Sequence, residues 1–270
     1  MKATATSEHA AAPAASSAQV VARLPELSYF FPAHDEEANV EGLVAEALEA
    51  LPALADRFEI VIVDDGSRDR TGAIADRLAS EHEDIVRAVH HPTNLGYGAA
   101  LRSGFAAARY ATVAFTDGDR QFHVGDLARL LERAAAADRP DVVVGYREHR
   151  ADPPLRIVYA RLYRLALLVW YGLGVRDVDC ACKLFRRTAL EGIRLESGGA
   201  FLSAELLIKL RAAGRSVVEV PVPHYPRTAG SATGANPAVV LRAARDFWRL
   251  RLLLWLSRRR ALTVGAPVLG

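Results

Sequence analysis

Glu59-Ile60-Val61-Ile62-Val63-Asp64-Asp65-Gly66-Ser67 is a β-branched apolar run that ends in an acidic turn. Such a run suits a parallel strand covered on both faces. Asp69 and Thr71 follow, and a helical pattern through Ile74 and Leu78 then extends from about Thr71 to Glu81. Strand, tight turn and helix in that order make half of a β-α-β unit. In open α/β sheets, ligands sit beyond the carboxyl ends of the strands, so this turn is also a candidate site. Ser67 and Asp69 both have the chemistry of a helix N-cap, and one of them is expected to cap.

A second strand ends the same way. Ala111 to Phe115 (ATVAF) runs into Thr116-Asp117-Gly118-Asp119-Arg120-Gln121. Alternation along an extended strand end puts Asp117 and Asp119 on one side. Two hard oxygen donors so spaced can hold a divalent cation such as Mg2+ or Mn2+, with a diphosphate supplying further ligands. A solvated Asp-Gly turn has the same letters. The other acidic turn, also after a buried strand, is what favours one shared site.

The alternation continues in both directions. Leu27 to Phe31 (LSYFF) reads as a strand ended by Pro32, and Asn39 to Leu51 as a helix with Val40, Leu43, Val44, Ala47 and Leu48 on one face. Ile85 to His90 is a short strand, Tyr97 to Ala108 a helix, Val124 to Ala137 a helix, and Asp141 to Gly145 a strand. This rhythm predicts an α/β fold, a mostly parallel sheet with helices on both faces. Asn94-Leu95-Gly96-Tyr97-Gly98 is neither a dinucleotide fingerprint nor a phosphate loop. Its glycines permit a tight helix entry or let backbone N–H groups approach a nucleotide.

Composition bounds the rest. The chain has 270 residues, 51% hydrophobic and 24% charged, which fits a globular protein with a substantial core. A net charge of +2 gives no case for nucleic acid. The two cysteines, Cys180 and Cys182, are too close for an unstrained disulfide and lack zinc spacing, so reduced thiols in a cytoplasmic setting are expected. Residues 1–24, rich in Ala, Ser and Thr without a signal-type apolar core, read as a flexible tail. No uninterrupted apolar stretch is long enough to span a bilayer.

The organisation changes after Arg147. Arg156 to Val175 is helical, either a buried core helix or one lying in a membrane interface with Tyr163, Trp170 and Tyr171 at headgroup level. Val217 to Val222 is a strand capped by Pro221 and Pro223. His224 to Ser231 then suits a mobile loop over an anionic ligand, or a plain surface turn. Pro237 to Arg260 is an amphipathic helix, with Val239, Val240, Ala243, Ala244, Phe247 and Leu250 on one face and Arg242, Arg245 and Arg249 on the other. Trp248, Trp255 and the closing Arg258-Arg259-Arg260 favour an anionic membrane surface over packing on the body. The expected layout is a catalytic unit over 25–235 and a C-terminal helix and tail over 236–270.

Taken in order, Pro32-Ala33-His34-Asp35-Glu36-Glu37 with Asn39, Val63 to Ser67, Asn94 to Gly98, Asp117-Gly118-Asp119 with Gln121, Gly145-Tyr146-Arg147, Lys183 to Arg187, and Arg227 with Gly230 and Ser231 resemble inverting glycosyltransferases of family 2. The likeness runs from about Leu27 to Ser231 and is nearest to the polyprenyl-phosphate (dolichyl-phosphate) sugar transferases. It implies a GT-A fold, a nucleotide-sugar donor (GDP-mannose or UDP-hexose), a polyprenyl phosphate acceptor, and Mg2+ or Mn2+ as cofactor. By the same resemblance, Pro32, Ala33 and Glu36 would line the nucleoside pocket and Asp64 or Asp65 would bind the base. Gly66, Asn94, Gly96 and Gly118 would complete the donor site. Asp117 and Asp119 would carry metal and diphosphate with Gln121 beside them, and Arg147, Arg227 and Ser231 would lie near the phosphates or the acceptor. His34-Asp35, Ala181-Cys182 and His123 depart from the family's usual residues and bear on sugar and acceptor identity. The implied location is peripheral, on the inner face of the cell membrane, and a homo-oligomer is possible. A lipid phosphate needs no strong base; a hydroxyl acceptor would, and Asp177, Asp179 or Glu205 are then the candidates. A soluble acceptor, or a non-catalytic nucleotide-sugar-binding role, are the rival readings.

Overall fold

The computed structural model describes residues 23–148, 154–227 and 237–264. Residues 1–22 of the expected tail, Gly230 and Ser231 lie outside them, as do the side chains of Val239, Arg258, Arg259 and Arg260, whereas Leu24 already belongs to the first strand.

The elements are β1 (Leu24–Ala33), α1 (Val40–Leu54), β2 (Ala55–Asp64), α2 (Thr71–Glu81), β3 (Val86–His90), α3 (Tyr97–Ala107) and β4 (Thr112–Phe115). A short 3-10 turn (Val124–Asp126) leads into α4 (Leu127–Ala134) and β5 (Val142–Arg147). Then come α5 (Pro154–Tyr171), β6 (Lys183–Arg186), α6 (Arg187–Leu190), α7 (Leu202–Ala212), β7 (Val217–Val222) and α8 (Pro237–Val264). One seven-stranded sheet has the order β3-β2-β1-β4-β6-β5-β7. All neighbours are parallel except β6, which runs antiparallel to both β4 and β5. The mostly parallel expectation therefore holds, with one inserted strand that the sequence reading did not contain.

Long runs of consecutive buried residues in β1 and β2 show that both faces of the sheet centre are covered. Aromatic rings bind the centre together: Phe30 and Phe115 stack at 5.2 Å, and Phe105 of α3 meets Phe115 edge-on at 5.7 Å and Phe185 of β6 at 5.3 Å. Glu59 is the one charge in the apolar run of β2. It is buried, but it accepts from Ser28 Oγ, the Arg109 backbone N–H and a two-pronged Arg87, so its charge is matched.

Several boundaries differ from expectation for identifiable reasons. Pro32 does not end β1. Pairing with β4 stops at Phe30, so Pro32 lies where only β2 runs alongside and no second ladder needs its missing donor. Pro221 likewise sits inside β7, which is the edge strand beyond β5. The expected helix at Val124 splits into the 3-10 turn and α4, and α5 stops at Tyr171 because Gly172 takes φ +68°.

The two C-terminal helices bring the largest correction. α5 is not a buried core helix: Leu167 is buried, whereas Val158, Tyr159, Leu162, Leu165, Leu168, Val169 and Trp170 are exposed. In α8 the C-terminal part of the stripe assigned to a membrane is turned inward, whereas its Val240 and Ala244 stay exposed. Phe247 and Leu250 are buried, and Phe247 packs edge-on against Tyr171 at 5.0 Å and Phe201 at 5.9 Å. Tyr171 Oη also donates to the Phe247 carbonyl. A different apolar set, including Leu241, Trp248, Leu252, Trp255 and Leu256, stays exposed on α8. Trp170 and Trp248 meet at 4.9 Å, so the open faces of α5 and α8 join.

Candidate nucleotide and metal site

The carboxyl ends of β1, β2 and β4 lie side by side, and their loops interlock. The Asp65 N–H donates to the Ala33 carbonyl at 2.9 Å. Asp35 N–H donates to Ser67 Oγ, Arg68 N–H returns a bond to Asp35, and Glu36 N–H donates to Thr71 Oγ1. Asp69 accepts from the N–H groups of both Glu37 and Thr71 and so ties α1's approach to the start of α2, but the N-cap itself is Arg70, without a side-chain cap, rather than Ser67 or Asp69. Gly66 has φ +67°, and a Cβ there would stand 2.2 Å from the Thr93 carbonyl carbon. Only glycine lets the acidic turn lie against the Asn94 loop. A Cβ on Gly118 would sit 2.6 Å from the Pro32 carbonyl oxygen, which fixes the β4 loop against the end of β1.

The two aspartates of the β2 turn have different tasks. Asp65 accepts from His91 Nδ1 at 2.6 Å and from the N–H groups of Leu95 and Gly96 at 2.9 and 2.8 Å. Its carboxylate is spent on holding the Asn94–Gly98 loop. Asp64 accepts the Ser67 N–H and faces His90 Nδ1, both at 3.0 Å. Burial pushes the Asp64 carboxyl up, yet these bonds outweigh it and leave Asp64 below the usual carboxylate range. Burial pulls His90 down, but Asp64 and Asp76 together hold it above its ordinary value. Pro32 and Ala33, predicted for the nucleoside pocket, are buried at the end of β1.

Asp117 and Asp119 lie in the loop after β4, not on its pleat, because the strand stops at Phe115. The left-handed Arg120, φ +57°, turns the chain there. Asp119 accepts the Gln121 N–H at 3.1 Å and Arg227 Nη2 at 2.6 Å. Asp117 accepts Tyr97 Oη at 2.9 Å. Burial first, and the neighbouring Asp119 charge second, push the Asp117 carboxyl up; Tyr97, Lys183 and Arg227 oppose them. Glu36, predicted for the nucleoside, lies beside this group, with Arg227 Nη1 3.6 Å from its carboxylate. Gln121 Nε2 donates to the Tyr225 carbonyl at 3.3 Å, and the Tyr225 N–H donates back to the Gln121 carbonyl at 3.0 Å.

Arg147 is committed elsewhere. Its Nε and Nη2 make a two-pronged pair with Asp177 at 2.6 and 2.8 Å, nearly out of solvent. The pair locks the end of β5 to the segment leading into β6. Glu205 is equally committed, accepting the N–H groups of Glu196 and Ser197 and Lys209 Nζ. Neither Asp177 nor Glu205 is placed to take a proton, whereas Asp179 is exposed. Burial raises the Glu205 carboxyl, but those donors prevail and its pKa is lowered. A lowered folded pKa adds stability above the unfolded value and loses it as pH falls through the folded one. Glu205→Gln is therefore expected to cost about 1–2 kcal/mol at neutral pH. It should also shrink the acid loss of stability and leave the pH profile of turnover unchanged. Urea melts at pH 7 and pH 4, with an activity profile, check this.

Three residues here carried no role in the sequence reading. In the sequence Tyr97 stands out only as part of a glycine loop and as the start of a helix. His91 sits just past β3, where the rule about strand ends would have found it. Lys183 is fully buried on β6, with Nζ donating to the Cys180 carbonyl and lying 5.5 Å from the Phe115 ring centre. No sequence period marks a lone buried lysine.

Comparison with known proteins adds the following. The family described as Glycosyl transferase family 2 matches residues 28–194. Glycosyltransferase AglD of Haloferax volcanii is 32% identical over 250 residues, 89% of this chain and 40% of that protein. An undecaprenyl-phosphate 4-deoxy-4-formamido-L-arabinose transferase of Pseudomonas paraeruginosa is 35% identical over 167 residues, 62% of this chain and 49% of that protein. The chain thus spans less than half the length of either. Polyprenol monophosphomannose synthase of Mycolicibacterium smegmatis is 31% identical over 210 residues, 74% of this chain and 77% of that one. Among solved structures, glucosyl-3-phosphoglycerate synthase of Mycobacterium tuberculosis, crystallised with Mn2+ and uridine-diphosphate-glucose, superposes with a TM-score of 0.63 at 21% identity, over 92% of this chain and 81% of that one. That likeness is one of fold, the GT-A arrangement expected from the sequence.

Proposed function

This chain belongs to glycosyl transferase family 2, and from that premise we propose that it transfers a hexose from a nucleotide-sugar donor, GDP-mannose or a UDP-hexose, to a polyprenyl phosphate with inversion. The carrying observation is the Asp117/Asp119 pair at the end of β4, set beside the Asp64–Gly66 turn, with Tyr97 on Asp117 and Arg227 on Asp119. The names of the relatives from Pseudomonas and Mycolicibacterium support the lipid acceptor.

Mg2+ or Mn2+ fits this pair. Asp119, beside the buried Asp117, holds a guanidinium at 2.6 Å, so the pair supports positive charge. Among the described residues no three His, Cys, Asp or Glu side chains converge as a self-sufficient metal site, so Asp117, Asp119 and Gln121 would share the ion with the donor's diphosphate. When bound, the ion neutralises charge on the departing nucleoside diphosphate. The protein's own residues do the rest. Asp64, Gly66 and the Asn94–Gly96 backbone shape the nucleoside end. Tyr97 orients Asp117. Arg227 supplies a mobile positive charge for phosphate oxygens. A lipid phosphate is already anionic, so two of three candidate bases, Asp177 and Glu205, can serve as structural locks without loss.

The joined open faces of α5 and α8 support a lipid-surface partner, although no described helix is long and apolar enough to cross a membrane. Exposed tryptophans 170, 248 and 255 stand with leucines, and Arg161, Arg164, Arg245 and Arg249 are exposed on the same two helices. Each basic residue near an anionic surface contributes about 1 kcal/mol. The chain is expected to float with anionic vesicles at low salt and to release at high salt. A triple variant Trp248→Ser, Leu252→Ser, Trp255→Ser should keep its melting temperature and stop floating. Absence of flotation by the parent chain would end this reading. The catalytic reading is tested by incubating the protein with Mn2+ or Mg2+, a panel of nucleotide sugars and polyprenyl phosphate, and weighing the product. Turnover only with soluble acceptors would overturn it.

A further inference from the structure

Arg227 reaches the Asp119 loop from the segment that follows β7, and it does so on a short tether. Two residues earlier, Tyr225 exchanges backbone and side-chain hydrogen bonds with Gln121, and its ring lies 4.1 Å from that of His123. His224 meets Phe122 edge-on at 5.3 Å. The stem of Arg227 is thus fixed to the loop that carries Asp119. At its other end the guanidinium bridges Asp119 at 2.6 Å and Glu36 at 3.6 Å, and its charge is also felt by Asp117. One guanidinium therefore serves carboxylates from two different loops.

We propose that Arg227 is the resident counter-ion of the cation site, and that a divalent cation and this guanidinium occupy the Asp119 carboxylate in alternation. The proposal rests on reading Asp117 and Asp119 as the cation's ligands. Asp119 Oδ1 is taken by the Gln121 N–H, and Oδ2 is the atom that Arg227 holds. A cation ligated through Oδ2 meets Nη2 at a distance where two positive charges repel, so one must leave. The buried carboxylates cannot be left bare either, because uncompensated charge out of water is costly. Arg227 solves that problem whenever no cation is bound. Once displaced, it remains anchored at Tyr225, and its fork is released within reach of phosphate oxygens arriving with the ion. Bare metal must compete with the guanidinium; metal that arrives with a diphosphate offers the guanidinium a new partner. Loading by the metal–nucleotide complex is favoured over loading by metal alone.

The test is Mn2+ binding, followed by calorimetry or by the spin-resonance signal of free Mn2+, with no turnover involved. Without nucleotide, Arg227→Ala is expected to bind Mn2+ roughly tenfold tighter than the parent chain, and Arg227→Lys to lie between them. With UDP or GDP present the order should reverse, the alanine variant becoming the weakest. Circular dichroism melts establish that each variant is folded. An alanine variant that binds bare Mn2+ no tighter than the parent overturns the counter-ion role. Asp119→Asn separates this failure from that of the underlying site: if it binds Mn2+ as the parent does, or if no variant binds Mn2+ under either condition, the ligand assignment itself falls.

Discussion

Asp119→Asn is expected to cut turnover of the nucleotide-sugar donor by roughly two decades or more, the largest catalytic effect of any single substitution in this chain. The carboxylate is held by the Gln121 N–H on one oxygen and meets Arg227 on the other, so it has one orientation and a high local demand for positive charge. The amide keeps the shape and removes the charge. Two decades correspond to about 2.7 kcal/mol of lost transition-state stabilisation, which is within what metal and diphosphate placement supply. The residue lies in a loop beyond β4, outside the ladder, so the melting temperature should move little. Steady-state kinetics with and without chelator decide the matter. A variant that turns over donor at the parent rate, or a parent indifferent to chelator, would remove Asp119 from the site.

Phe247→Ala is expected to destabilise the fold by about 3 kcal/mol or more, the usual cost of emptying a buried aromatic position. Phe247 is 7% exposed and sits among Tyr171, Phe201 and Trp248, joining α8 to α5 and to the segment before α7. Urea unfolding should show a lower midpoint with an unchanged slope. Trp248→Ala, on the open side at 53% exposure, should cost well under half as much. Equal effects for the two would mean that the helix is not seated through Phe247. The contrast separates the inward stripe of α8 from the outward one, and only the outward one is free for a lipid surface.

What the sequence revealed and what it hid follow from the range of each signal. β2 and its acidic turn were legible because a β-branched run, an Asp-Asp-Gly turn and an amphipathic helix are all local patterns. β6 was not: Lys183-Leu184-Phe185-Arg186 is short, has charged ends, and is made a strand only by β4 and β5 on either side. α7 escaped because Leu202 to Ile208 is buried all round, leaving no stripe to read. For α8 periodicity marks an apolar stripe but not what covers it: Phe247 and Leu250 pack on the body while Val240 stays exposed. The candidate site was legible as acidic strand ends. The use of Asp65, Arg147 and Glu205 as structural locks was not, because each depends on a donor or acceptor that only the fold brings near.

The antiparallel insertion of β6 has a consequence for how the chain emerges from the ribosome. The parallel half, β3-β2-β1-β4, is complete once Phe115 has been made, and its outer edge is the apolar Thr112–Phe115. Among the described residues of the following stretch no strand pairs with that edge, because β5 does not touch β4 and must wait for the same late strand. Only when Lys183–Arg186 appears, after α5, does β6 close the gap and seat Phe185 against Phe105 and Phe115. At translation rates that interval lasts seconds, long compared with hairpin formation and with hydrophobic collapse. During it, an unpaired hydrophobic edge is open to neighbouring nascent chains. Slower decoding between β4 and β6 would therefore lower the yield of native protein, and a chaperone that shields sheet edges would restore it.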